Sequence, residues 1–265
     1  TAPILAWLLP PGSDYKSAIE CNIDVAAPSL IALKEISAVA SDRRARVHLE
    51  VDSGMTRGGF LSEWDLLDSS HLDGIEIVGI FSHFARADEP GEKQNQEQRD
   101  RFIEMIKKLN SLGVTDALQH LSNSAATLKD PDSRFDMVRT GIAMYGLTPD
   151  VKTLGTSASL GLQAAMSLHA KLQLVKEVPA NSPVGYGATA MTDRHTKLGI
   201  VAMGYADGIP RNTQGAGIFV HGKRAPIIGR VSMDQFVVDL GRDSAANSGD
   251  WVEIFGDGIT GGYTA

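Results

Sequence analysis

The chain has 265 residues, of which 43% are hydrophobic, and a formal net charge of −7. This length exceeds that of a typical single domain, so two buried cores are expected. The acidic balance, without a dense stripe of lysine and arginine, argues against nucleic-acid binding. The single cysteine, Cys21, is typical of a reducing compartment, and no apolar run approaches the roughly 20 residues of a membrane span. We therefore expect a cytoplasmic protein with no nucleic-acid or membrane partner.

The first half of the chain alternates short apolar strands with helices. Strands are predicted at residues 4–9, 24–27, 47–51, 75–83, 118–121 and 137–142. Helices are predicted near residues 15–21, at 30–39 after the N-cap Ser29, from Ser62, and along a long segment ending near Gly113. About six strands in this alternation predict α/β architecture, an incomplete (β/α)8 TIM-type barrel.

From about Ser157 the pattern changes to alternating polar and apolar residues. Residues 166–175, 218–222 and 235–240 show this period of two, and their connections are rich in Gly, Pro and Asp. This predicts a mostly antiparallel β domain. We place the boundary at Asp150, directly after Pro149, which gives domains at residues 1–150 and 151–265.

Polar residues follow several of the predicted strands. Arg57, His83 and His120 come after successive apolar runs, and Arg139 lies in the last one. A single histidine in such a place is more often structural. Because the carboxyl ends of barrel strands carry catalysis, these residues together indicate an active site.

Two segments near the last strands offer backbone N–H groups. Residues 122–126 are typical of the start of a short helix, and Gly141 permits close backbone approach. Such groups bind phosphate at barrel mouths, although ordinary helix capping is an equal alternative. No Walker or dinucleotide glycine motif is present, and no HxxxH or CxxC pattern indicates a metal. A phosphorylated cofactor therefore fits better than a nucleotide.

Seven segments in series resemble the alanine racemases that use pyridoxal phosphate. They are residues 51–57, 82–88, 120–126, 138–146, 186–189, 204–208 and 229–235. The family fold implied by this resemblance is an N-terminal (β/α)8 barrel followed by a β domain, which agrees with the pattern of predicted elements.

The resemblance implies that several residues bind pyridoxal 5′-phosphate. Arg139 would face its pyridine nitrogen, and His120 would hold Arg139. A permanent cation there would keep this nitrogen unprotonated and favour quick reprotonation of the α carbon over transamination. The other residues implied at the cofactor are His83, against the ring, and Asn123, Ser124, Gly141 and Ile142, around the phosphate.

The resemblance also implies interconversion of L-alanine and D-alanine by two-base proton transfer on the cofactor aldimine, which supplies D-alanine for peptidoglycan. Tyr186 would move a proton at the α carbon, and Arg57 would orient the substrate carboxylate. In the family this tyrosine comes from the partner subunit, so a homodimer with composite active sites is expected. Further residues implied at the substrate are Tyr205, Met233 and Asp234, with Asp88, Arg211 and Arg230 along its approach.

Two departures from the family pattern stand out. Many members have a carbamylated lysine where this chain has Glu50, whose carboxylate we expect to replace the carbamate and pair with Arg57. A surface charge is the alternative interpretation for Glu50. The family's Schiff-base lysine, on the first barrel strand, has no counterpart here, nor does its phosphate-binding tyrosine near the carboxyl terminus. We expect the chain to be a fragment of a racemase, with a catalytic relic as the alternative.

Two other functions share parts of this pattern. A pyridoxal-phosphate decarboxylase of the same architecture would place an acidic residue at the pyridine nitrogen and a cysteine in the pocket, whereas this chain has Arg139 and Ser232. A non-enzymatic pyridoxal-phosphate carrier would have a related barrel without the β domain that contains Tyr186. Racemases of serine or of broader specificity also share much of the pattern.

Overall fold

A computed structural model describes residues 2–40, 43–213, 215–259 and 261–264. The chain divides into two units. The first extends to Met144 and includes Thr148–Leu162, and the second comprises Tyr145–Leu147 and the residues from Gln163 onward. Within the described ranges, no helix combines the length and the apolar composition required to cross a bilayer.

The first unit contains a parallel sheet of five strands among its described residues. Val25, Val47, Leu49 and Ile80 lie in its centre and are fully buried, as expected for strands covered on both faces. The strands, in their order across the sheet, are β1 (Leu5–Ala6), β2 (Asp24–Ala27), β3 (Ala45–Glu50), β4 (Ile75–Phe81) and β5 (Leu118–His120). This confirms the predicted parallel, barrel-type arrangement.

Helices connect these strands. Ser29 caps the second helix, since its side chain accepts from the Ala32 N–H at 3.2 Å, and Asn123 caps the fourth in the same way at 3.1 Å. The helices are α1 (Tyr15–Glu20), α2 (Leu30–Val39), α3 (Lys93–Ser111), α4 (Ser124–Lys129) and α5 (Val151–Leu154). The predicted helix at Ser62 is a 3₁₀ helix, Ser62–Leu66.

The prediction of a strand at residues 137–142 is wrong. The backbone there is irregular up to the 3₁₀ helix Ile142–Tyr145. The Arg139 N–H donates to the Ser122 carbonyl oxygen at 2.9 Å, and the Gly141 N–H donates to Ser124 Oγ at 3.0 Å. These hydrogen bonds tie the segment to the start of α4 and not to the edge of the sheet.

The second unit is built from antiparallel strands, as predicted. Val201, Ile218, Phe236 and Val238 form the centre of its core. Its strands are β6 (Leu168–Val178), β7 (Pro183–Val184), β8 (Ala190–Met191), β9 (Thr196–Val201), β10 (Gly217–Val220), β11 (Lys223–Pro226), β12 (Phe236–Asp239) and β13 (Trp251–Phe255). Six of these described strands form one sheet, in the order β11-β10-β13-β6-β9-β12, and β7 pairs with β8.

Candidate active site

A cavity of about 740 Å³ in the first unit is lined by residues that follow β1, β4 and β5. Concave pockets that combine apolar walls with a few polar groups are the usual places for small ligands. Six of the seven residues predicted to bind the cofactor line it: His83, Asn123, Ser124, Arg139, Gly141 and Ile142, together with Asp88 and Trp7. The seventh, His120, contacts Arg139.

The guanidinium group of Arg139 is held by the ends of two strands. Its Nη1 donates to His120 Nδ1 at 2.9 Å and to the His120 carbonyl oxygen at 3.0 Å. Its Nη2 donates to the Ser82 carbonyl oxygen at 2.6 Å and to His83 Nδ1 at 3.2 Å. Burial lowers the pKa of Arg139 to about 10, so the group remains charged at neutral pH.

One donor of this guanidinium has no partner. The Nε atom of Arg139 is buried and forms no hydrogen bond within the described part of the chain. A buried donor without an acceptor costs about 1–3 kcal/mol relative to a satisfied one. A ligand in the adjoining cavity that presents an acceptor to Nε would recover this free energy.

The two histidines beside Arg139 are neutral. Burial, reinforced by the charge of Arg139, lowers the pKa of His120 to about 2 and that of His83 to about 4. Since a guanidinium can only donate, the Nδ1 atoms of both rings are acceptors. The hydrogen-bond network therefore assigns the single proton of each ring to Nε2.

Two aromatic rings lie beside the guanidinium group. Arg139 Cζ lies 5.2 Å from the ring centroid of Trp7 and 5.2 Å from that of Phe81. The Trp7 ring also stacks on His83, with centroids 6.2 Å apart and an interplanar angle of 27°. These two cation–π contacts stabilise the charged guanidinium group in this position.

The predicted anion-binding groups lie together at one part of the cavity. Ser124 is buried, and its Oγ accepts from the N–H groups of Gly141 at 3.0 Å and Ala143 at 3.3 Å. Its own hydroxyl hydrogen has no acceptor among the described residues and is free to donate. Gly141 faces open space, since a Cβ there would meet no atom within 4 Å.

Both halves of the chain match known sequences. Residues 1–149 match the family model of the alanine racemase N-terminal domain, and residues 165–265 match that of the C-terminal domain. The curated alanine racemase of Salinispora tropica is 42% identical over 100% of this chain and 72% of its own length. The chain belongs to the alanine racemase family.

Solved structures of this family agree with the fold. The alanine racemase of D-cycloserine-producing Streptomyces lavendulae matches with a TM-score of 0.95 and 42% identity, over 100% of this chain and 71% of that one. The alanine racemase of Streptomyces coelicolor A3(2) matches with a TM-score of 0.94 and 40% identity, over 99% and 71% of the two chains. These matches favour neither alternative function, the decarboxylase or the carrier.

Glu50 and Arg57 lie at the end of β3. The Glu50 carboxylate is half-buried, and burial raises its pKa, while the positive charges of Arg57 and Arg139 oppose this rise. The predicted ion pair between Glu50 and Arg57 does not form within 4.0 Å, although both residues are described. Asp52 Oδ1 accepts the N–H groups of residues 54–56 and turns the loop, which leaves Arg57 exposed.

Three of the residues that the alanine racemase resemblance places at the substrate, Tyr205, Met233 and Asp234, lie in the second unit. The Tyr205 N–H donates to the Ser232 carbonyl oxygen at 3.0 Å, and the Ala206 N–H donates to the Met233 carbonyl oxygen at 2.9 Å. The structure thus brings the Tyr205 and Met233 loops together. Tyr205, Met233 and Asp234 are exposed there, and Arg211 Cζ lies 5.7 Å from the Tyr205 ring.

Tyr186 begins a 3₁₀ helix, Tyr186–Ala188, and its side chain is exposed. The preceding turn packs against the loop that carries Arg230, since a Cβ at Gly185 would lie 3.5 Å from the Arg230 nitrogen. Tyr186 and Arg230 thus belong to neighbouring loops of the second unit.

Sequence reasoning missed two residues that contact this site. Trp7 directly follows β1, so the strand-end rule would have found it had apolar residues been inspected as well. His48 lies in β3 and contacts His120. Its signal was a histidine inside a strand that the parallel sheet buries on both faces.

Proposed function

We propose that this protein interconverts L-alanine and D-alanine with pyridoxal 5′-phosphate bound in the cavity beside Arg139. The observation that carries this proposal is the unpartnered, buried Nε–H group of Arg139. A pyridine nitrogen without a proton is an acceptor suited to such a donor. The relationship to the alanine racemases supports the choice of reaction and substrate.

The residues around the cavity fit this cofactor. Ser124, with a free hydroxyl hydrogen, Gly141 and Ile142 would hold its phosphate, and Asn123 orders the start of α4 beside them. His83 would lie against its ring. When bound, pyridoxal phosphate supplies an electron sink for the charge left at the α carbon after proton removal.

Arg139 would tune this sink through its permanent charge. A guanidinium has donors only, so it would leave a ring nitrogen bound at its Nε without a proton. His120 and His83 hold its terminal nitrogens through neutral acceptors. The weaker sink would favour quick return of a proton to the α carbon over transamination.

Tyr186 and Arg57 carry the remaining steps in this proposal. The Tyr186 hydroxyl would remove or return a proton on one face of the α carbon, and the family's Schiff-base lysine, which has no counterpart in residues 1–265, would exchange the proton on the other face. Arg57, with several donors on an exposed side chain, orients the substrate carboxylate. Tyr205, Met233 and Asp234 bound the space available to the substrate side chain.

Glu50 supports Arg57 and Arg139 as a fixed negative charge in place of a carbamylated lysine. Its half-buried carboxylate interacts with both arginines through their charges, without a direct ion pair to Arg57. This role requires no carbon dioxide, so added bicarbonate should leave the activity unchanged.

We also propose a homodimer in which Tyr186 of one copy serves the cavity of the other. The large exposed side chains of Tyr186, Met191, Tyr205 and Met233 in the second unit support an interface there. The protein would act in the cytoplasm and supply D-alanine for peptidoglycan.

The test is D-alanine formation from L-alanine, with added pyridoxal 5′-phosphate, by purified protein in a form that includes the family's Schiff-base lysine, which has no counterpart in residues 1–265. We expect Arg139→Ala to lower this activity at least a hundredfold, because it removes the only donor assigned to the ring nitrogen. Arg134→Ala, which removes an exposed arginine five positions upstream, is the matched control and should retain activity. Equal activities of the two variants would contradict the proposal, as would a wild type that forms no D-alanine.

A further inference from the structure

A continuous polar contact chain crosses the parallel sheet and ends at Arg139. Arg139 Nη1 donates to His120 Nδ1 at 2.9 Å, and His120 Nε2 lies 2.9 Å from His48 Nδ1. His48 Nε2 lies 3.5 Å from Asp24 Oδ2. Arg46 donates to both oxygens of Asp24, at 2.7 and 3.2 Å. We call Asp24, His48 and His120 the polar relay; each is less than 10% exposed.

The directions of the two hydrogen bonds of the His120 ring follow from Arg139. Because the guanidinium only donates, His120 Nδ1 accepts and the His120 proton is on Nε2. This proton is donated to His48 Nδ1, which places the His48 proton on Nε2, facing the Asp24 carboxylate. Burial lowers the pKa of His48, so this ring is also neutral. A single arrangement of protons therefore satisfies the relay.

The fold makes room for the His48 ring. His48 is on β3 and His120 is on β5, so the ring has to pass β4, which lies between them. A Cβ at Gly79 of β4 would lie 2.0 Å from His48 Nδ1, so no side chain fits there. The register between β3 and β4 also shifts at this point, between Val47 and His48. Glycine and register shift together admit the contact between the two histidines.

We propose that His48 and Asp24 are positioning residues, which fix the proton of His120 on Nε2 and thereby hold Arg139 with its Nε free for a ligand. This inference rests on the proposed function, in which Nε faces the ring nitrogen of the cofactor. Without His48, the buried Nε2–H of His120 would lack an acceptor. The alternative His120 tautomer would then point a proton at Arg139 Nη1, which would displace the guanidinium.

The test compares His48→Phe with His48→Gln in the full-length chain. Glutamine can accept from His120 and donate to Asp24, whereas phenylalanine of similar size can do neither. The first measurement is the ¹⁵N NMR spectrum of the His120 ring, which reports its tautomer without any ligand. The second is the affinity for pyridoxine 5′-phosphate, a probe with the ring nitrogen and phosphate but no aldehyde.

We expect the wild type and His48→Gln to show a single tautomer with the proton on Nε2. His48→Phe should show mixed tautomers and a loss of affinity for the probe of on the order of tenfold, typical for loss of a residue that holds a ligand-binding group. Gly79→Ala keeps the imidazole but displaces it, and should reproduce this loss if His48→Phe does not fold. Ser133→Ala, which removes a partly buried side-chain hydrogen bond elsewhere in the first unit, is the control and should behave as wild type.

The inference would be overturned if His48→Phe kept both the tautomer and the affinity of the wild type. It would equally fail if His48→Gln were as impaired as His48→Phe, since a role in packing alone predicts that result. The proposed function fails separately: a wild type with the expected His120 tautomer but no D-alanine formation would refute the racemase and leave the relay standing.

Discussion

The hydrogen bonds of Arg139 indicate where a ligand binds. Its terminal nitrogens donate to carbonyl oxygens and neutral imidazoles, and two aromatic rings lie with their centroids 5.2 Å from its Cζ. Only Nε lacks an acceptor within the described residues. Since buried donors in folded proteins are almost always satisfied, the exception indicates where a bound molecule completes the site.

Glu50→Gln tests whether this carboxylate acts as a fixed charge beside the arginines. We expect kcat/KM for alanine to fall about tenfold, in line with about 1.5 kcal/mol for an interaction of a charged group. The free energy of unfolding should stay the same or rise slightly, because burial already disfavours the charged form of Glu50. The measurements are steady-state kinetics, with and without bicarbonate, and urea denaturation.

Glu104→Gln, on the exposed face of α3, is the matched control and should change neither quantity. An unaffected rate in Glu50→Gln would remove the idea of a substitute for the carbamate. A wild-type rate that depends on bicarbonate would also contradict the role of Glu50 as a substitute for the carbamate.

The buried histidines predict how stability varies with pH. The pKa of His83 lies at about 4 and that of His120 at about 2, and burial also lowers that of His48, whereas a free histidine has a pKa of about 6.5. Between these values the unfolded chain binds more protons than the folded one. The free energy of unfolding should therefore fall as pH falls from 7 to 5, by up to about 1.4 kcal/mol per pH unit for each histidine.

The raised pKa of the Glu50 carboxyl has the opposite effect, since it makes the folded state more stable as pH falls. The three histidines together outweigh this single carboxyl group. Urea denaturation at pH 7, 6 and 5 measures the slope, and His83→Gln should reduce it. If the free energy of unfolding stayed constant or increased as pH fell from 7 to 5, the three histidines would not be buried as neutral rings.

Among the helices and strands, apolar periodicity predicted those elements whose backbone forms regular hydrogen bonds. Strands β2 to β5 and helix α2 lie where their patterns placed them, because their apolar side chains enter the core. The segment 137–142 has a similar pattern but donates its N–H groups to Ser122 and Ser124. These acceptors lie 17 positions earlier in the chain, so no local pattern encodes the hydrogen bonds.

The same distinction applies to the site. Strand-end reasoning and resemblance identified His83, His120 and Arg139, since their positions follow from chain order. The polar relay could not be predicted, because it needs the register of β3 against β4 and the space above Gly79. The free Nε of Arg139 likewise appears only when every acceptor around it is placed.

Gly204→Ala tests the packing between two loops of the second unit. A Cβ at Gly204 would lie 2.2 Å from the Met233 carbonyl oxygen, so the Tyr205 loop must move. We expect a loss of about 1–3 kcal/mol in the free energy of unfolding, as for other overpacked sites, and a higher KM for alanine. Calorimetry measures the loss of stability, and steady-state kinetics measure the KM for alanine.

Gly91→Ala is the control for this substitution. A Cβ at Gly91 meets no atom within 4 Å, so this variant should be neutral or slightly more stable. If Gly204→Ala retained the stability and KM of the wild type, the close approach of the two loops would be contradicted.

At the scale of the whole molecule, the proposed chemistry depends on two clusters in different units. Arg139 and the cofactor-binding residues lie in the first unit, and Tyr186, Tyr205 and Met233 lie in the second. We propose that two copies of the chain combine them, each copy giving its tyrosine to the cavity of the other. A closed dimer with twofold symmetry would form two such sites.

The most direct measurement mixes two inactive variants, Arg139→Ala and Tyr186→Phe, and follows D-alanine formation after subunit exchange. In a heterodimer, one site has both substitutions and the other has neither. Since random exchange makes half of the dimers mixed, the account predicts recovery of about a quarter of wild-type activity. Activity that stays at the level of the separate variants, in a mixture shown to contain heterodimers, would contradict it.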